Sequence, residues 1–141
     1  MNTPFIKDTD LRDRVAGLNG LRDPSKLEPW WTQIIQDANR SAVDYIYAAL
    51  GNRGFTKTQI AQWDSGRDYN TDIALFWCFT RGGIPAGYSD LNIKKLDRRL
   101  ELADAVFTIG GNVVSPGDSN LLVLGGRMSE KGYRVTMDTE F

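Results

Sequence analysis

The sequence predicts a mainly α protein: a small bundle of about four main helices over residues 1–111, then an extended or β-hairpin arm over 112–141. Apolar residues recur at steps of three and four through 29–50 and again through 90–111, the spacing of one helix face. Glycine, proline and short polar clusters punctuate the stretches between. From Asn112 onward the helical period disappears and short β-prone runs replace it.

Residues 1–8 read as a mobile lead-in. Thr9 offers an N-cap with Asp10 in the first turn, near the positive end of the helix dipole. Leu11, Val15 and Leu18 then mark a short helix closed by Gly17 or Gly20. Asp23-Pro24 and Glu28-Pro29 each bias their first residue away from helix, so 18–29 reads as a connector.

The long helix follows over 29–50, with Pro29 in its first turn and Gly51 as its stop. Trp31, Ile35, Ala38, Ala42, Tyr45 and Ala49 form its stripe; Gln36, Asp37, Asn39, Arg40 and Asp44 fall on the polar side. At 1.5 Å per residue this is a rod of roughly 33 Å that needs partner helices to cover it.

Thr56 and Gln59 have the spacing of a capping box, which opens a short helix over 56–63. Residues 64–70 read as a polar loop, and Asn70 or Thr71 caps a third main helix over 71–83 with Ile73, Ala74, Trp77 and Cys78 inward. Ser89 or Asp90 caps a fourth, over 90–111. Its seam is Ile93, Leu96, Leu100, Ala103 and Phe107, and Gly110-Gly111 ends it. In the arm, residues 121–124 and 133–137 read as short strands around a glycine-rich turn; a lone ribbon is marginal in water and wants a partner.

Composition narrows the function classes. Seventeen basic against eighteen acidic residues leave a net charge of −1, which argues against a chain built as a whole to coat nucleic acid. With no histidine, Ser-His-Asp and Cys-His catalysis and any His-containing metal site are excluded. The single cysteine excludes an intrachain disulfide and fits a reducing compartment. The N-terminus has no apolar run of signal-peptide length, and no segment has the length and apolarity of a membrane span.

Candidate motifs are few. Asp64, Asp68, Asn70 and Asp72 fail the calcium-loop pattern, because the sixth position from Asp68 is Ile73 where glycine is required. Helix capping is the better reading. The glycine pairs match neither phosphate-loop pattern. Cys78 reads as a small buried hydrophobe, and no cofactor is implied. Lys94, Lys95, Arg98 and Arg99 form a basic stripe on the fourth helix, a possible nucleic-acid contact. Asp97 and Glu101 are interleaved with it, so a solvated face is favoured: Lys94–Arg98 and Asp97–Glu101 repel while Lys94–Asp97 and Arg98–Glu101 attract. Trp30, Ile34 and Arg40 lie off the long helix's seam and are the candidate subunit contacts.

The order of features resembles the small helical head–tail connector proteins of tailed bacteriophages, also called adaptor or head-completion proteins. DLRDRV in a short capped helix precedes A-x-x-x-V-D-Y-I (Ala38 to Ile46), a helix opened by DIAL (Asp72 to Leu75), and K-x-L-D-R-R-L-x-L-A (Lys94 to Ala103). The resemblance covers roughly residues 9–111; residues 54–68 are longer than a minimal connector needs. It implies a virion protein of the neck, not an enzyme, assembled in the host cytoplasm. It further implies a homo-oligomeric ring, commonly dodecameric, that docks under the portal, receives the next neck or tail component, and lets genomic DNA pass without reading its sequence. On that reading the arm, through Leu121, Leu122, Val123, Leu124, Tyr133, Val135 and Met137, docks on portal or tail by strand addition.

Overall fold

The computed structural model describes residues 2–116. The chain is mainly helical with a small hairpin towards its C-terminal side. The elements are α1 (Asp8–Leu18), a 3-10 turn (Pro24–Lys26), α2 (Trp31–Asn52), α3 (Lys57–Ala61), α4 (Gly66–Gly82), α5 (Asp90–Lys94), a second 3-10 turn (Leu100–Ala103), β1 (Thr108–Ile109) and β2 (Asn112–Val113). The expected arm residues Leu121, Leu122, Val123, Leu124, Tyr133, Val135 and Met137 lie outside the described residues.

The long helix is the centre of the molecule, with α4 as its principal partner and α1 packed on both. Trp31, Ile35, Ala38, Ala42, Ile46 and Leu50 are buried, together with Val43 and Tyr47. Tyr45, placed on the stripe by spacing, is exposed instead. Asn39, expected on the polar side, is buried, because its amide serves the Ile6 carbonyl and the Asp8 and Asn70 side chains.

Both α1 and α2 end in the same way. Leu21 N–H donates to the Ala16 carbonyl at 2.9 Å and Gly20 N–H to Gly17 at 3.0 Å. Phe55 N–H donates to Leu50 at 3.2 Å and Gly54 N–H to Gly51 at 3.0 Å. Gly20 and Gly54 hold φ of 79° and 98°, the left-handed conformation this terminator requires. Gly17 and Gly51 therefore lie inside their helices rather than stopping them. α1 also starts one residue before Thr9, with no side-chain cap, and Asp8 and Asp10 in the first turn supply the favourable charge.

Three further expectations, each about a whole segment, are overturned. The lead-in is packed: Ile6 is buried and Phe5 lies against Gly66. The polar loop at 64–70 is mostly helix, since α4 begins at Gly66, and Asn70 and Thr71 are interior residues of it. The fourth main helix does not form. α5 stops at Lys94; Asp97 accepts from the Arg99 N–H at 3.2 Å, a local turn that competes with helical hydrogen bonding. The seam consequently breaks up, with Ile93 and Phe107 buried and Leu100 87% exposed. The capping box at Thr56 and Gln59 forms as the spacing predicts.

Gly110-Gly111 ends no helix but makes the β1–β2 turn, both residues at positive φ (58° and 83°) as a two-residue hairpin turn demands. Asp64 grips it: Oδ1 accepts from Gly110 N–H at 2.9 Å and Oδ2 from Gly111 N–H at 2.8 Å, while Asp64 N–H donates to Thr108 O at 2.9 Å. Phe107, just before β1, stacks on Phe55 at 4.0 Å and on Trp63 at 5.8 Å, and so fixes the hairpin to the helical body.

Candidate interaction surface

Trp30 and Ile34 are four residues apart at the start of α2, a spacing that puts them on one side. Trp30 is 50% exposed and its ring stacks on Trp31 at 4.8 Å. Trp31 in turn meets Phe79 edge-on at 6.2 Å and covers Gly82. Ile34 is half-buried against the core. Arg40 is six residues beyond Ile34, about 120° away around the helix. It lines a cleft with Asn2, Asp8, Gln36 and Asp44 on another side. The three expected contact residues therefore do not form one patch.

The basic stripe is also broken. Lys94 and Lys95 are exposed where α5 ends. Arg98 Nε is 2.9 Å from Asp72 Oδ2 and 3.7 Å from Glu101, with the guanidinium 5.3 Å over the Tyr69 ring. Arg99 donates twice to Asp97, Nε to Oδ1 and Nη2 to Oδ2, each at 2.7 Å. Its guanidinium lies 5.0 Å over Phe76 and 5.5 Å over Trp77. These contacts dock the 95–99 turn on the outer face of α4.

The electrostatics follow from those contacts. Hydrogen bonds from Arg99 hold the Asp97 carboxyl below its ordinary range. Burial pushes Asp72 up, with Arg98 opposing it. Arg81 covers Trp77 from α4 at 5.7 Å, and Tyr45 of α2 meets Trp77 edge-on at 6.3 Å. Beyond the Arg81–Trp77 pair, four residues apart on α4, the sequence holds no signal for this layer, because Tyr45, the α4 rings, Arg98 and Arg99 come from separate segments.

The largest exposed apolar groups cluster in sequence. Among the described residues they are, besides Trp30 and Tyr45, Ile84, Leu91, Leu100, Val106 and Val113, all within 84–113. That segment is not a loose loop. Arg99 holds its middle to α4, Arg53 Nη1 donates to the Leu102 carbonyl at 2.8 Å, and Asp64 holds the hairpin. Helical spacing assigned Leu100 to a buried seam, so the sequence could not reveal it as surface.

Cys78 is fully buried, and desolvation pushes its thiol up to about 12, so it is neither accessible nor ionised as a nucleophile. Among the described residues no three His, Cys, Asp or Glu side chains are grouped to hold a metal ion, and no helix is long and apolar enough to cross a membrane. No family model matches the sequence, and no curated protein or solved structure matches it either.

Proposed function

We propose that the chain is a structural assembly protein of the head–tail connector kind. It forms a homo-oligomeric ring in the neck of a tailed phage particle, under the portal, and offers a surface to the next neck or tail component. The observation that carries this reading is that Ile84, Leu91, Leu100, Val106 and Val113 are each exposed on a segment anchored by side-chain contacts. Exposed apolar groups that gather into one patch mark a contact surface, and the proposal is that these do. A closed ring needs two different complementary patches on each subunit. On this reading the Trp30 side of α2 and the 84–113 segment are the candidates for them. The order of α1, α2 and α4 supports the same reading; the 90–111 segment, expected as a helix, does not add to it.

Light scattering of the purified chain, alone and with the portal protein of the same phage, tests the proposal. Recruitment into a ring-sized complex is the expected result, and a monomer that ignores portal counts against it. The alternative, a nucleic-acid-binding regulator using Lys94, Lys95, Arg98 and Arg99, draws less support, because both arginines are already engaged by carboxylates. A salt-dependent shift of duplex DNA, abolished by Arg98→Glu with Arg99→Glu, would favour it.

A further inference from the structure

A cleft of about 330 Å³ opens between the N-terminal segment, α2 and α3. Asn2 and Thr3 line it from one side, Tyr47 from α2, Lys57 and Thr58 from α3, and Gln62 from just beyond α3. The volume is of the size that takes a small ligand, and each of these side chains carries a polar group.

Tyr47 is the unusual member. It is only 7% exposed, and its ring stacks on Phe5 at 5.9 Å. A tyrosine buried to this degree ordinarily gives its hydroxyl to a protein acceptor. Here the hydroxyl has no hydrogen-bond partner among the described residues, yet it is not sealed in the core. The one buried polar side-chain atom left without a partner among those residues is Gln59 Nε2. The Tyr47 hydroxyl therefore reaches the surface, and it does so at the cleft that Tyr47 lines. Burial pushes the phenol above its ordinary range, so it stays protonated at neutral pH and serves as a donor.

The charge on the cleft has one sign. Lys57 lines it, is exposed, and pairs with no carboxylate among the described residues. Asp44 accepts from Asn2 Nδ2 at 3.2 Å but does not line the cleft, and no other carboxylate lines it. Thr58 and Gln62 add neutral groups that donate hydrogen bonds. An unpaired ammonium and a directed neutral hydroxyl suit a ligand that brings negative charge and acceptor oxygens. We propose that this cleft binds a small oxyanion, a carboxylate or a phosphate group, through the Tyr47 hydroxyl and the Lys57 ammonium. Tyr47, fixed by its stack on Phe5, gives direction, and Lys57 gives the charge. The site stands apart from the assembly reading, since none of its lining residues lies in 84–113.

Tyr47→Phe is the direct test, because it removes one oxygen that no described residue uses and keeps the ring on Phe5. The full chain is titrated with sodium phosphate, and separately with sodium acetate, with sodium chloride holding the ionic strength constant. Amide resonances report the binding. The expected result is a saturable shift, centred on Tyr47, Lys57, Thr58 and Gln62, with at least one of the two anions. The anion that saturates at the lower concentration identifies the preferred group. In Tyr47→Phe, and in Lys57→Gln at an exposed position, the half-saturating concentration should rise about tenfold while far-UV circular dichroism is unchanged. Three results overturn the proposal. One is no saturable shift with either anion. Another is a Tyr47→Phe chain that saturates at the wild-type concentration. The third is a set of shifts spread over the surface lysines and arginines, which is what an anion with no site of its own produces.

Discussion

Asn70 of α4 donates from Nδ2 to Asn39 Oδ1 of α2 at 2.8 Å, with both side chains removed from solvent. Each amide has a further duty, Asn70 Oδ1 to Phe5 N–H and Asn39 Nδ2 to Ile6 O and, at 2.7 Å, to Asp8 Oδ1. The pair joins the two main helices and the N-terminal segment in one satisfied network. Such a network is costly to break halfway, because the remaining partners stay buried without hydrogen bonds.

Asn70→Ala therefore orphans the Phe5 N–H and the Asn39 acceptor. A loss of about 2–3 kcal/mol in urea unfolding is expected. The Phe5 amide should also exchange faster with solvent. An unchanged midpoint would mean that the pair is replaceable.

Two glycines should respond in opposite directions to the same substitution. A Cβ at Gly82 would lie 2.5 Å from the Trp31 ring, so Gly82→Ala must displace a buried indole, at about 1–3 kcal/mol. At Gly17, inside α1, a Cβ meets nothing within 4 Å. There Gly17→Ala should stabilise by about 0.5–1 kcal/mol through helix propensity. Thermal unfolding of the two variants side by side gives the sign of each.

The Asp64 carboxylate is held below its ordinary range first by the Gly111 N–H and then by the Gly110 N–H. A carboxyl depressed in the folded state contributes stability above its unfolded pKa and loses it as pH falls through the lower folded value. The Gly110 and Gly111 amide resonances should therefore titrate in acid below about pH 4. In Asp64→Asn they should show no such titration. A hairpin insensitive to both acid and the substitution would show that Asp64 does not hold it.

Cys78 should resist thiol reagents in the folded chain, its thiol being buried and raised to about 12. Labelling by a thiol-reactive dye should become complete only as urea unfolds the protein. Rapid labelling without denaturant would contradict the buried position.

How much of this the sequence carried depends on the kind of interaction. The α2 stripe was legible because burial follows helical period, and the Thr56–Gln59 box because both halves lie three residues apart. Asn39 was not, since its partners Ile6, Asp8 and Asn70 are 31 or more residues away in the chain. The 90–111 segment misled for a different reason. Its apolar spacing fits a helix, but Asp97 folds back on Arg99 and the arginines take partners from α4. Of the candidate contact residues only Trp30 stands out as a large exposed apolar group; Ile34 is half-covered and Arg40 faces elsewhere.

The central claim is that the chain assembles with itself through the apolar side chains of 84–113, of which Leu100 is the most exposed. Light scattering of the wild type and of Leu100→Asp over a range of concentrations tests it most directly, with circular dichroism confirming that the exposed substitution leaves the helices in place. A wild-type mass that rises to a fixed multiple of the monomer is expected, with a Leu100→Asp chain displaced towards monomer at the same concentrations. A wild type that stays monomeric throughout, or a Leu100→Asp chain that assembles equally well, would contradict it.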